Sequence, residues 1–198
     1  MQTFTISQIH NRFLSGKTSE LDGLCSVAPL NFIVNSQIGF IGGGAVRKTI
    51  QNIPLDTDID IYFKSQADFD LCLTYFNQHR IDEIVDNGLN KTFHILINNK
   101  KYKIQFVYMI YCPKIEDFIE HADFTICQFA YDGEKIYCGD FSMYDLANKK
   151  LNIYYITSPH FSLQRISKYN EQGFCSCDGK CLKTILSQIP LNEPIIVA

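Results

Sequence analysis

The sequence predicts an α+β fold: a mixed β-sheet flanked by helices, with a short helical extension at the C-terminal end. Three observations carry that expectation. Segments of helical and of strand periodicity are mixed without strict alternation, two strand-like runs flank the turn "NNKK", and a run of three glycines joins an apolar strand to a short helix. The 198 residues, 46% of them hydrophobic, suit one well-cored unit. We divide it into an N-terminal helix and connection (1–37), a core (38–157) and a C-terminal extension with a cysteine cluster (158–198).

In chain order, the polar stretch "SGKTSELDG" reads as a loop, "IGFI" as a strand, Gly42-Gly43-Gly44 as a turn and "AVRKTIQN" as a helix. "TDIDIYF" alternates as a strand. Ser65 and Asp68 form a capping box with Asp in place of Glu, and Phe69, Leu73 and Phe76 follow at helical spacing. In "KTFHILINNKKYKIQFVYMIY" a hairpin places Tyr102, Ile104, Phe106 and Tyr108 on one face and Lys103, Gln105 and Val107 on the other. "CPKIEDFIEH" starts a helix with proline in its first turn, "FTICQFAY" is a strand, and Asp132-Gly133 turns into "KIYCG". "FSMYDLANKK" reads as a helix and "LNIYYI" as a last strand. A helix from Pro159 closes at Gly173, and another surrounds "LKTILSQI".

Composition excludes several function classes. The longest apolar runs are too short to span a bilayer and the N-terminus has neither a basic lead nor an apolar signal core, so a cytoplasmic protein without a membrane partner is expected. A formal charge of -3 gives no global basic field for collecting nucleic acid. Five of the eight cysteines lie in apolar or strand-like stretches and read as core thiols in a reducing compartment. Cys175, Cys177 and Cys181, spaced C-x-C-x3-C, offer three ligands to a structural zinc, with a fourth from Cys138, His160 or another group brought near by folding; the competing reading is a loop with incidental thiols.

The chemistry concentrates in "FIGGGAVRKTIQNIPLDTDIDIYF". Side chains alternate along a strand, so Asp58 and Asp60 share a face about 6 to 7 Å apart while Ile59, Ile61 and Phe63 point the other way. Like charges so placed repel, and a divalent cation relieves the repulsion. Mg²⁺, which takes one or two carboxylates together with substrate phosphate oxygens, suits the pair. The glycine turn supplies the complement, because backbone N–H groups free of side chains can approach a phosphate, with Arg47 one helical turn on. Taken alone, the glycines read as a tight connection and "DTDID" as a turn with solvated aspartates; their conjunction is the more specific signal.

In this order the residues resemble the nucleotidyltransferase superfamily. "GGAVRKTIQNIPLDTDIDI" is similar to the head-domain signature of CCA-adding enzymes and bacterial poly(A) polymerases. "ADFTICQFAYDG" resembles that family's Arg-Asp-Phe-Thr-x-Asn-Ala segment, "YDLANKKL" its Asp-Leu segment and "SPHFSLQRISKY" the helix that follows, so four blocks cover roughly residues 38 to 170.

The resemblance implies a DNA polymerase beta-like fold and transfer of a nucleoside monophosphate from a nucleoside triphosphate, with two Mg²⁺ or Mn²⁺ ions held by Asp58 and Asp60. It implies nucleotide-binding roles for Gly43, Gly44, Arg47, Asp123, Arg165 and Lys168, and an acceptor that is an RNA end, a protein side chain or a small molecule. The departures are Lys48 where the family has an aspartate, His121-Ala122 for a double arginine, Cys127-Gln128 for Asn-Ala, and Gln105 at the candidate position of a third acid. They motivate a second expectation, a noncatalytic nucleotide-binding or interaction module on the same fold.

Overall fold

The computed structural model of the chain describes residues 1–5, 20–56, 58–81, 83–156, 158–176 and 179–188. Among them eight strands form one sheet: β1 (Gln2–Thr5), β2 (Gly39–Gly42), β3 (Ile59–Phe63), β4 (Glu83–Asp86), β5 (Asn90–Ile97), β6 (Lys100–Val107), β7 (Phe129–Tyr131) and β8 (Lys135–Cys138). Their order is β1-β8-β7-β2-β3-β6-β5-β4. Neighbours pair antiparallel except β3 and β6, which run parallel and set Asp60 beside Gln105. The helices are α1 (Glu20–Cys25), α2 (Leu30–Asn35), α3 (Gly44–Ile50), α4 (Gln66–Gln78), α5 (Ile115–His121), α6 (Ser142–Ala147), α7 (Pro159–Glu171) and α8 (Lys180–Leu186). The α+β expectation holds.

The sheet's two faces differ. Ile59, Ile61 and Phe63 of β3, with Ile41, Phe93, Ile104 and Phe106, meet Leu21, Ile33, Val46, Phe69 and Phe76 of α1 to α4 in the main core. Aromatic rings interlock there, with centroids 4.6 Å apart for Phe76–Phe106 and 5.1 Å for Phe63–Phe106. Such pairs add about 0.5–1.5 kcal/mol each beyond the area they bury. The opposite face is covered by α5 only in part, through Phe40, Phe118, Ile119 and Ala130, with the Tyr62 ring tilted against Phe118 at a centroid distance of 4.5 Å.

The expected cap on α4 is present: the Ser65 Oγ accepts the Asp68 backbone N–H at 3.2 Å. The NNKK hairpin is β5–β6, with Tyr102, Ile104 and Phe106 buried as expected.

Five local expectations are corrected. The chain opens with a strand, since β1 pairs with β8. Part of "SGKTSELDG" is helical, α1 starting at Glu20, while residues 15–19 lie outside the described residues. "FTICQFAY" is not one strand, because Thr125–Cys127 form a 3-10 turn and only Phe129–Tyr131 join the sheet. The buried Gln128 causes the break: its Nε2 donates to the Ile119 carbonyl at 2.8 Å and its Oε1 accepts from the Ser142 hydroxyl at 3.2 Å. Among the described residues "LNIYYI" forms no strand and carries the isolated bridge Phe124–Ile153. Pro113 precedes the first turn of α5, whose N-cap is Lys114.

A buried-edge network holds the approach to Asp58. Glu20 accepts the Leu55 N–H at 2.8 Å and the Tyr102 hydroxyl at 2.7 Å, and it pairs with Lys100. Burial pushes the Glu20 carboxyl up, but these hydrogen bonds outweigh it and hold its pKa below the ordinary value.

Candidate nucleotide and metal site

β2 ends at Gly42, the register partner of Asp60. A Cβ at Gly42 would stand 2.7 Å from the Phe118 ring and 2.8 Å from the Tyr62 ring, so glycine is a packing requirement there. At Gly43 the requirement is conformational: φ is +70°, and a Cβ would meet nothing within 4 Å, which leaves open space at the turn. Gly44 then starts α3. The Gly43 N–H donates to the Phe129 carbonyl at 2.7 Å, so the backbone donors left at this turn begin with Gly44.

Asp60, half-buried on β3, faces the partly covered side of the sheet next to Gln105. Burial first, and then the neighbouring Asp58, push its carboxyl up to about 7, against the opposing pull of Lys168, Arg165 and Lys103. The Lys103 Nζ donates to the Asp58 Oδ2 at 3.1 Å. The two carboxylates and three cations thus share one electrostatic neighbourhood. Gln105, at the register position of a third acid, contributes an amide. Among the described residues no group of three or more His, Cys, Asp or Glu side chains is arranged to hold a metal.

Asp123 is 4% exposed and firmly engaged. Its Oδ2 accepts from the Arg165 Nη1 at 2.7 Å and the Ser162 hydroxyl at 3.2 Å, and its Oδ1 accepts the Phe124 N–H at 3.1 Å. Burial alone lowers the Arg165 pKa, yet Asp123 more than compensates and raises it, so the guanidinium stays charged. Asp123 therefore orients Arg165 from beneath, while Lys168 is exposed one turn further along α7.

Arg47 is not at the open side of the glycine turn. It is 2% exposed, its guanidinium carbon 5.0 Å from the centre of the Tyr169 ring and 5.1 Å from that of Phe174. Its Nη2 donates to Gln172 at 2.7 Å, and its Nη1 has no hydrogen-bond partner among the described residues. Lys48 pairs with Asp56 in the loop before Asp58.

Sequence reasoning missed Lys103 as a partner of Asp58 and Ser162 as a partner of Asp123. Lys103 was legible as a polar-face residue of the hairpin, but its register against β3 was not. Of the cysteine cluster, Cys175 is exposed and forms an isolated bridge with Lys150, whereas Cys177 and the Cys181 side chain lie outside the described residues. A cavity of about 550 Å³ lies at the other end of β2 and β3, beside Gly39, Lys64, Lys114 and Tyr137.

Comparison with solved structures shows the fold. A CCA-adding enzyme in complex with ATP superposes with a TM-score of 0.64 at 17% identity, covering 95% of this chain and 47% of that one. A CCA-adding enzyme with CTP gives 0.62 at 18% identity, covering 95% and 46%. The Thermotoga maritima CCA-adding enzyme with tRNA gives 0.59 at 16% identity, covering 95% and 47%. The chain thus has the fold of a nucleotidyltransferase head and spans about half the length of the structures it matches. By sequence it belongs to the Gabija anti-defense 2 family, whose model matches residues 5–149. No curated protein matches it. Among the described residues no helix is long and apolar enough to cross a membrane.

Proposed function

We propose that the chain is a divalent-metal-dependent nucleotidyltransferase that moves a nucleoside monophosphate from a nucleoside triphosphate to an acceptor hydroxyl. The observation that carries this reading is the carboxylate pair Asp58 and Asp60, with the Asp60 carboxyl pushed up by burial and by Asp58, against the open Gly43–Gly44 turn. The donor set fits Mg²⁺ or Mn²⁺: two carboxylates with no third acid match an ion that completes its shell with water and substrate phosphate. Bound there, the ion supplies charge neutralisation at the attacking and leaving oxygens.

The chain's own groups bind and orient. The glycine turn lets the polyphosphate approach the backbone donors from Gly44 onward. Arg165, held by Asp123, which also accepts from Ser162, presents a fixed cation to the nucleotide, and the exposed Lys168 adds a second. The acceptor oxygen forms a bond to the α-phosphorus, the bond from that phosphorus to the bridging oxygen breaks, and pyrophosphate leaves as the acceptor proton passes to solvent. RNA ends, protein side chains and small molecules all offer such a hydroxyl. The family name supplies the setting, opposition to a Gabija defence.

A second reading is favoured by two observations, the Lys103–Asp58 ion pair and the amide of Gln105 beside Asp60 where the resemblance implies a third acid, which suit a noncatalytic nucleotide-binding module. Incubation with Mg²⁺ or Mn²⁺ and each α-labelled nucleoside triphosphate, against pooled RNA, candidate proteins and the chain itself, separates the two. Label on an acceptor with pyrophosphate release supports the transferase. Saturable nucleotide binding with no transfer from any donor supports the module.

A further inference from the structure

Arg47 poses a physical problem. A cation with 2% exposure has no carboxylate partner among the described residues and one nitrogen without any partner. Buried charges are ordinarily paired, so something else must hold it. What surrounds it is the end of α7: the Tyr169 ring, the Gln172 side chain, and Phe174, brought back by the positive φ of Gly173. Ring faces attract a guanidinium, and a helix C-terminus favours positive charge.

The stripe it holds is the one that matters to the site. Ser162, Arg165 and Tyr169 recur at i, i+3 and i+7 on α7. Its first part is anchored by Asp123 and its last part by Arg47, with the Tyr169 hydroxyl 3.0 Å from the Cys127 sulfur. Arg47 itself belongs to α3, the helix that begins at the glycine turn.

Building on the transferase reading above, we propose that Arg47 is a positioning residue, a latch from α3 to the end of α7. It makes the Gly43–Gly44 turn and the Arg165–Lys168 face meet a nucleotide as one body. The sequence expectation of a direct phosphate contact is replaced by this indirect role.

The test compares wild type with Arg47→Met, Arg47→Lys and Gln172→Ala, the last being the milder variant should the first fail to fold. Amide hydrogen exchange over residues 166–172 is expected to quicken about tenfold in Arg47→Met and less in Gln172→Ala, with residues 159–165 still protected by Asp123. ATP and AMP affinities are expected to fall by the same factor in each variant. Arg47→Lys is expected not to rescue them, since an ammonium cannot bridge two rings and an amide as a planar fork does. Unchanged exchange in Arg47→Met overturns the latch. So does a loss of ATP binding with AMP binding intact, which would make Arg47 a phosphate ligand. If wild type binds neither nucleotide, the transferase reading fails, and the exchange result still decides the latch.

Discussion

On one face of β3, Ile59, Ile61 and Phe63 are fully enclosed by helices; on the other, Asp60, with Asp58 just before it, stands among lysines, an arginine and a glutamine. The first face lowers the free energy of the fold by about 1.5–3 kcal/mol per side chain buried. The second face raises it, because burial and a like charge drive the Asp60 carboxyl up to about 7. The proposed cation supplies the missing compensation.

The largest effect expected from breaking this contrast is on the charged face. Asp58→Asn with Asp60→Asn should lower nucleotidyl transfer by roughly 10³-fold or more while thermal unfolding stays cooperative, as measured by label transfer and calorimetry. On the apolar face, Ile61→Ala should cost about 2–5 kcal/mol in chemical denaturation, with activity at low temperature retained.

A third prediction uses pH. Asp60 is harder to ionise when folded than when unfolded, so its contribution is fully present below the unfolded carboxylate range, near pH 4, and is lost as pH rises through about 7. Without metal, Asp60→Asn should therefore unfold at a higher temperature than wild type at pH 8 and at an equal one near pH 4. Mg²⁺ should close the gap at pH 8. The smallest effect is expected at Gln105. Gln105→Glu sets a third carboxylate beside Asp60 and should lower the metal-free Tm by up to about 4 °C, with Mn²⁺ affinity rising.

The apolar face was the legible one. Its period-two and 3.6-residue patterns placed β2, β3, the β5–β6 hairpin, α4 and α7 from the chain alone. Strand β4 carried no such signal, since all four of its residues are exposed at the sheet edge. Strand β1 owes its existence to pairing with β8, more than a hundred residues away in sequence. Tyr154 and Tyr155 imitated a strand by composition, but their N–H groups are taken by the Asp123 carbonyl. In the site, Asp58 and Asp60 announced their common face through spacing. The Lys103–Asp58 pair needed the parallel β3–β6 register, and the latch at Arg47 needed the fold of α7, neither of which local pattern encodes.

The central claim is that the charged face of β3 holds a divalent cation. Mn²⁺ binding followed by its paramagnetic signal, with and without a nucleoside triphosphate, addresses it directly in wild type and in the double aspartate variant. Saturable binding that tightens with the triphosphate and disappears in the variant is the predicted result. Equal binding in the two proteins, or none in wild type with the triphosphate present, would contradict it.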